Sequence, residues 1–200
     1  MMKMSHHTHE HHNLDNEENF KRIVAALDSE KRKQQLSAEA IIGYLPELAG
    51  KTVFDGGAGT GFLTLPLAKQ AEKVIAFDQS QKMLELIQER ARNARLTNIT
   101  SMSGDIKAID LPDSSVDIAL VSVMIHEVYP FEEALKELSR IIKPDGQFVI
   151  LEFESETMHA NGGHRIPSHV MKESLEKLQL PIIQQLVPAE GMYLFIVGKK

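Results

Sequence analysis

The chain is 200 residues long, with 42% hydrophobic and 25% charged residues, which is the composition of a single globular domain. It contains no cysteine, which excludes disulfides, thiolate nucleophiles and cysteine-bound zinc. Its formal net charge of −6 disfavours a nucleic-acid partner, and no apolar run approaches the roughly 20 residues needed for a membrane span. Since the polar start also lacks the apolar segment of a secretory signal, we expect a cytoplasmic protein.

The first quarter of the sequence predicts a flexible tail followed by helices. Residues 1–19 are polar, rich in histidine and without apolar periodicity, so we expect them to remain flexible. Residues 20–200 are expected to form one domain. Its first part, residues 20–48, predicts a cap of short helices, because apolar side chains recur at helical spacing in residues 20–36 and again in residues 38–48.

Five histidines are clustered in this tail. They are His6, His7, His9, His11 and His12. Neutral imidazole binds Ni²⁺ and Zn²⁺, so the cluster could hold a metal ion. The simpler interpretation, which we favour, is a polar tail whose metal affinity is incidental.

From residue 52 onward, short apolar runs typical of strands alternate with segments of helical periodicity. The predicted strands are residues 52–54, 74–77, 99–102, 116–123, 147–153, 182–187 and 192–197. The predicted helices are residues 62–70, 80–95, 131–142 and 168–179. This alternation favours an α/β fold with a doubly wound parallel sheet. Because no helix separates the last two strands, we expect the last one to be antiparallel.

The most informative motif is the turn after the first predicted strand. It reads Asp55-Gly56-Gly57-Ala58-Gly59-Thr60-Gly61. Glycines let the backbone turn sharply and approach a ligand without a Cβ in the way, and the N–H groups that open the next helix favour a carboxylate or phosphate. The dinucleotide fingerprint G-x-G-x-x-G fits poorly, since Phe62 or Ala58 occupies a glycine position in either register. A turn without any ligand is the alternative.

Two acidic residues follow the next two predicted strands. Asp78 ends the second strand, where a carboxylate can accept both ribose hydroxyls of a nucleoside. It could instead cap the helix near Ser80, and we favour ribose binding because of the turn before it. Asp105 follows the third strand, where it could accept from the exocyclic amine of an adenine beside the apolar Ile106. Capping of its own turn is an equally good interpretation of Asp105.

Taken in order, these motifs carry a resemblance to a known family. A further landmark is the sequence LSRIIKPDG at residues 138–146, before the fifth predicted strand. From about Phe20 to the C-terminus, the chain resembles the class I, Rossmann-like S-adenosylmethionine-dependent methyltransferases, close to the group that acts in quinone biosynthesis. The resemblance implies a single doubly wound sheet of seven strands flanked by helices, in the order 3-2-1-4-5-7-6 with strand 7 antiparallel.

The resemblance also implies a function and a site. The chain would be an enzyme that binds S-adenosylmethionine and methylates a small-molecule acceptor. Residues 57–61 would hold the methionine part of the cofactor, Asp78 the ribose, and Asp105 with Ile106 the adenine. The full set of implied cofactor residues is Asp55, Gly56, Gly57, Ala58, Gly59, Gly61, Asp78, Gln79, Asp105 and Ile106.

The fourth predicted strand leads toward the expected methyl position and is followed by the sequence MIHEVY at residues 124–129. Methyl transfer from a sulfonium is an in-line displacement, to which an enzyme contributes positioning and, for some acceptors, a base. His126 is the candidate base or orienting residue, with Glu127 as its partner. The alternatives are that His126 packs structurally or contacts only the cofactor. Arg165, in the long connection after the fifth strand, could bind an acidic acceptor or pair with a nearby glutamate.

Two other functions compete with this interpretation. One is a noncatalytic protein that binds the cofactor or handles metal, suggested by the histidine-rich tail and the absence of an obvious base. The other, a nicotinamide oxidoreductase, is disfavoured by Phe62 and by the lack of a second nucleotide-binding half. The sequence itself names neither the acceptor nor the oligomeric state.

Overall fold

The computed structural model describes residues 16–154 and 165–199, and in these residues helices surround the strands of one sheet. The helices are α1 (Glu17–Leu27), α2 (Glu30–Gln35), α3 (Ala38–Ile42), α4 (Thr64–Ala68), α5 (Gln81–Asn93), α6 (Phe131–Ile141) and α7 (Ser168–Lys177). The strands are β1 (Thr52–Gly56), β2 (Lys73–Asp78), β3 (Ile99–Ser103), β4 (Val116–Ser122), β5 (Ile142–Phe153), β6 (Ile182–Leu186) and β7 (Met192–Gly198). A single turn of 3₁₀ helix, Ile125–Glu127, follows β4.

The sheet has the order β3-β2-β1-β4-β5-β7-β6, and β7 runs antiparallel to both of its neighbours. All other neighbouring pairs are parallel. This confirms the expected order and direction of the strands. The connection between β6 and β7 is long enough to reverse the chain but too short for a parallel crossover, which explains the antiparallel strand. The strand order reverses between β1 and β4, and the crevice at such a switch point is where open α/β sheets bind ligands.

The central strands are buried on both faces, as their apolar sequences predict. All seven residues of β7 are buried. Side chains of β1 alternate between two apolar layers: Phe54 packs in the layer that contains α6 and α7, and Val53 in the layer that contains α3 and α4. Packing in these two layers holds the strands in place, and with them the polar residues at the strand ends. No helix within the described residues is both long and apolar enough to cross a bilayer.

The helices of the cap begin earlier and end sooner than the sequence pattern predicts. α1 begins at Glu17, inside the predicted tail, because the side chain of Asn16 caps it by accepting from two backbone N–H groups. α3 ends at Ile42, six residues before the predicted end, where the chain enters a series of turns. Residues 1–15, which include the five tail histidines, lie outside the described residues.

β5 begins at Ile142, directly after α6, and not at residue 147 as predicted. Ile142 pairs with Val116 and Gln147 with Ile118, so the four residues between them, KPDG, bulge out of the ladder that joins β4 and β5. Gly146 passes so close to β4 that a Cβ would lie 2.8 Å from a backbone oxygen. Residues 143–146, which the sequence placed before the fifth strand, therefore form a bulge within it, and the close approach at Gly146 requires glycine.

Candidate cofactor and acceptor site

The glycine-rich turn is held against the carboxyl ends of β1, β2 and β4. Gly57, Gly59 and Gly61 have φ angles of 73°, 53° and 83°, a conformation that favours glycine. The N–H of Gly57 donates to the carbonyl oxygen of Phe77, at 2.8 Å. A Cβ on Gly57 would lie 2.6 Å from Cγ of Met124, so the turn approaches the chain after β4 more closely than another residue would allow.

Asp55 lies beneath this turn at the end of β1, with 3% of its surface exposed. The hydroxyl of Thr64 donates to its carboxylate, at 2.5 Å. Burial raises the pKa of Asp55 to about 6; the hydrogen bond from Thr64 opposes this change, and the negative charge of Asp78 adds to it. The carboxylate gives the crevice a negative charge at neutral pH, which suits a cationic group on a ligand.

Asp78 joins the end of β2 to the glycine turn. Its Oδ2 accepts from the N–H of Gly59 at 2.8 Å, and its Oδ1 accepts from the N–H of Ser80 at 2.9 Å. The N-cap of α5 is Ser80, whose own Oγ accepts from a backbone N–H of the helix. Burial raises the pKa of Asp78, and its two backbone hydrogen bonds oppose that rise. Each carboxylate oxygen has two lone pairs, so both keep the capacity to accept from a ribose hydroxyl.

The residues predicted to hold adenine lie at the end of β3, beside β2. Asp105 is exposed, and its Oδ1 accepts from the N–H of Lys107 at 2.9 Å, which is the local turn cap that the sequence left open as an alternative. Ile106 is buried, and its Cδ1 would lie 3.1 Å from a Cβ on Gly56, so it packs against the glycine turn instead of forming an open wall. Gln79, just past the end of β2, is exposed.

The end of α1 reaches the glycine turn through a cluster that the sequence did not predict. Asp28, the C-cap of α1, accepts from the hydroxyl of Thr60 at 2.7 Å and pairs with Arg90 of α5 at 2.6 Å. Arg90 also donates to the carbonyl oxygen of Thr60, at 2.8 Å. Leu27 lies 3.6 Å from the Cβ position of Gly59. We call Asp28, Thr60 and Arg90 the cap cluster; its members are far apart in the sequence, and no local pattern signals it.

The 3₁₀ turn after β4 places His126 against the end of β5. Its Nδ1 lies 2.9 and 3.0 Å from the two carboxylate oxygens of Glu152. The side chain of Glu152 is 0% exposed and that of His126 is 6% exposed. Glu127, the partner proposed from the sequence, is 67% exposed, and its Oε1 lies 3.9 Å from Nε2. The nearer carboxylate belongs to the adjacent parallel strand, 26 residues away, which spacing along the sequence cannot reveal.

Charged groups around His126 set its protonation. Burial lowers its pKa, but the hydrogen bond to Glu152 and the charges of Glu152 and Glu127 outweigh burial and raise the pKa above its ordinary value. The charge of Arg165, in the segment before α7, opposes that rise. The guanidinium of Arg165 lies 3.9 Å above the ring of Phe153. Burial lowers the pKa of Arg165, and the charge of Glu152 offsets this only in part.

Metal binding finds no support in the part of the chain that the structure describes. In residues 16–154 and 165–199, no three histidine, aspartate or glutamate side chains come together as ligands of a metal ion. The tail histidines lie outside these residues, so the hypothesis of a metal site there stays a prediction.

Comparisons with known proteins agree with this geometry. The family model described as a methyltransferase domain matches residues 54–150, which run from β1 into β5. A demethylmenaquinone methyltransferase from Lactobacillus johnsonii is 37% identical over 113 residues, which cover 54% of this chain and 46% of that protein. Residues 54–150 thus match a methyltransferase domain, and the sheet has the fold of solved S-adenosylmethionine-dependent methyltransferases.

Other proteins similar to this chain include YcgJ, an uncharacterized methyltransferase from Bacillus subtilis. It is 28% identical over 134 residues, which cover 64% of this chain and 53% of YcgJ. The crystal structure of a SAM-dependent methyltransferase from Aquifex aeolicus superimposes with a TM-score of 0.77 at 22% identity, covering 87% of this chain and 95% of that one. At this identity the likeness shows the fold. The chain spans about half the length of the two curated relatives.

Three acids and the glycine turn at the ligand edge of the sheet have the chemistry to hold S-adenosylmethionine. Because β3, β2 and β1 are neighbouring strands, which lie about 5 Å apart in a sheet, Asp105, Asp78 and Asp55 follow in this order along its edge. An extended S-adenosylmethionine presents adenine, ribose and the methionine ammonium group in the same order. The glycine turn supplies backbone without Cβ atoms beside Asp78 and Asp55.

Proposed function

We propose that this chain transfers a methyl group from S-adenosylmethionine to a small-molecule acceptor in the cytoplasm. The observation that carries the proposal is the row of three carboxylates, Asp105, Asp78 and Asp55, beside a glycine turn at the switch point of the sheet. Relatives named as demethylmenaquinone and ubiquinone/menaquinone methyltransferases support a small acceptor. The net charge of −6 supports the absence of a nucleic-acid partner.

In this proposal the cofactor is held by parts of the chain that already contact one another. Asp78 accepts from the ribose hydroxyls, and the backbone of residues 57–61 faces the methionine part. Asp105 and Ile106 lie at the adenine end. The negative charge of Asp55 favours the ammonium group of methionine. When bound, the cofactor supplies an electrophilic methyl group carried on a sulfonium.

The acceptor would bind beyond the carboxyl end of β4. His126 lies there and can take a proton from an acceptor that must lose one, and the exposed Glu127 lies beside it, 3.9 Å from Nε2. The end of α1 over the glycine turn keeps water from the cofactor, which strengthens the electrostatic contacts made inside. The chain therefore contributes binding, orientation and exclusion of water, with a base available at one atom.

Titration calorimetry with S-adenosylmethionine tests the cofactor site. D78N should weaken binding by about 10- to 100-fold, because the ribose hydroxyls lose a charged acceptor. The matched control is E72Q, which removes the same charge at the opposite end of β2, where Glu72 is exposed. Unchanged affinity in D78N would contradict the ribose role. No heat of binding to the unsubstituted chain at millimolar cofactor would refute the proposal.

Turnover distinguishes an enzyme from a noncatalytic protein that binds the cofactor. With isotopically labelled S-adenosylmethionine and a mixture of small metabolites, the chain should form a labelled product that can be extracted. Cofactor binding without any labelled product would favour the noncatalytic alternative. A chain that lacks residues 1–12 should keep its turnover, and loss of turnover on this deletion would favour a metal-handling tail.

A further inference from the structure

His126 and Glu152 form a buried polar pair at the ligand edge of the sheet. Glu152 lies in β5 between β4 and β7, and taking a carboxylate out of water is costly unless hydrogen bonds compensate. Its oxygens accept from Nδ1 of His126 at 2.9 Å and from the backbone N–H of Phe153 at 3.3 Å. The backbone N–H of His126 also lies 3.4 Å from Oε1 of Glu152, so the buried acid holds both the ring and the backbone of His126 at the ligand edge of the sheet.

The hydrogen bond between the two side chains determines which nitrogen of His126 carries the hydrogen. A carboxylate only accepts, so Nδ1 donates to Glu152, and in the neutral ring Nε2 then carries the lone pair. A carboxylate held against one nitrogen also stabilises the imidazolium that forms when the other nitrogen takes a proton. The geometry is therefore that of a base whose orientation and basicity are set by a buried acid.

We propose that Glu152 is a positioning residue that makes Nε2 of His126 the base for an acceptor with a weakly acidic hydroxyl, a phenol or an enol. The inference rests on the proposed methyl transfer. Nε2 takes the hydroxyl proton, and the electron pair of the broken O–H bond stays on the acceptor. The acceptor forms its new bond to the methyl carbon, while the carbon–sulfur pair leaves with sulfur. The imidazolium keeps its Nδ1–H on Glu152 and then releases the Nε2 proton to solvent.

The charges that face His126 favour this class of acceptor. Glu152 from β5 and Glu127 from its own turn raise the pKa of His126, while burial and Arg165 from the segment before α7 lower it. The net rise makes the ring a stronger base than free histidine. A carboxylate acceptor needs no base, and a neutral amine already has a lone pair, so a weakly acidic hydroxyl gains most from this pair.

Nuclear magnetic resonance of the full chain tests the pair without any acceptor. The ¹⁵N shifts of His126 should show hydrogen on Nδ1, and E152Q should lower the pKa of His126, because the hydrogen bond and the charge of Glu152 raise it. E127Q should lower the pKa less, because Glu127 is exposed and lies 3.9 Å from Nε2. Hydrogen on Nε2 in the unsubstituted chain, or an unchanged pKa in E152Q, would overturn the inference. The position of the hydrogen on His126 is measured in the unsubstituted chain, so it tests the inference even if E152Q does not fold.

The acceptor class is tested with labelled S-adenosylmethionine and two probes, 2-naphthol and a nitro-substituted 2-naphthol. E152Q should lower kcat/KM for 2-naphthol by about 10²- to 10³-fold, and much less for the nitro compound, which ionises without a base. E133Q, the same change at an exposed position of α6, should leave kcat/KM unchanged. In chains that already carry H126Q, E152Q should cause no further loss, because Glu152 acts through the imidazole.

The outcomes separate this inference from the proposed function. If calorimetry shows no binding of S-adenosylmethionine, both the proposed function and the role of Glu152 are refuted. If the cofactor binds but E152Q lowers kcat/KM equally for both naphthols, Glu152 has only a structural role. The same holds if the loss in E152Q adds to the loss in H126Q. Either result refutes the positioning role of Glu152 and leaves the proposed function standing. Cofactor binding without methylation of any probe overturns the acceptor class. A methyl group on oxygen or on the adjacent ring carbon supports it, since both products begin with loss of the hydroxyl proton.

Discussion

Asp55 places a carboxylate beneath the glycine turn, where burial raises its pKa from 3.8 to about 6. Between about pH 4 and pH 6, Asp55 is therefore protonated in the folded chain and ionised in the unfolded chain. Stability is therefore lost as the pH rises from about 4 to about 6, and it changes no further above that range through this group. A charge that would favour a cationic ligand thus lowers the stability of the free protein at neutral pH.

D55N removes this charge and keeps an oxygen that can accept from Thr64. We expect its free energy of unfolding at about pH 7 to exceed that of the unsubstituted chain by roughly 1–3 kcal/mol, with a smaller dependence between about pH 4 and 6. Cofactor affinity should fall, because the ammonium group loses its counter-charge. Urea unfolding followed by circular dichroism measures the first effect. D110N, at an exposed position, is the control, and a D55N chain less stable at neutral pH would contradict the raised pKa.

At the scale of elements, the cap cluster joins α1 to the glycine turn and α5. Burial alone would raise the pKa of Asp28, but hydrogen bonds from Arg90 and Thr60 and the charge of Arg90 lower it overall. The stability that the cluster contributes is therefore present above the ordinary pKa of 3.8 and lost as the pH falls below it. Since Asp28 and Arg90 are partly exposed, screening by water keeps this contribution small.

D28N should loosen α1 more than it destabilises the whole domain. We expect a loss of about 0.5–1 kcal/mol in the free energy of unfolding, together with faster amide exchange in α1 and faster release of cofactor. Hydrogen-exchange mass spectrometry and stopped-flow dissociation measure the two local effects. E17Q, which breaks an exposed pair with Lys21 at the other end of α1, should change neither. Equal exchange rates in α1 for D28N and the unsubstituted chain would show that the cluster does not hold the cap.

Features with a local signal could be predicted from the sequence, and contacts between distant segments could not. Alternating apolar runs and helical periods predicted the elements, and Ser80 marked the start of α5. The pairing of His126 with Glu152 depends on β4 and β5 being neighbours, which no window of sequence contains. The contact of Asp28 with Arg90 depends in the same way on how α1 packs over α5.

For the candidate site too, the strands that carry its residues could be predicted, whereas the contacts of the side chains could not. The strand order that the family resemblance implied places the strands of Asp55, Asp78 and Asp105 side by side, and the sheet has this order. The contacts predicted for adenine are less direct than the sequence suggested, since Asp105 caps its local turn and Ile106 is buried against Gly56. Whether a side chain points toward a ligand or into the core depends on packing by residues that are remote in the sequence.

Because the cofactor would contact the ends of β1, β2 and β3 and the cap at once, its binding should stabilise the molecule as one unit. At a cofactor concentration of about 100 times Kd, linkage contributes about 2.7 kcal/mol, which raises Tm by about 5–10 °C for a chain of this size. Thermal unfolding followed by circular dichroism measures the shift. E72Q should show the full shift, and D78N a smaller one at the same cofactor concentration. A separate early transition of the helical signal that the cofactor does not move would show instead that the cap melts independently of the sheet and takes no part in binding.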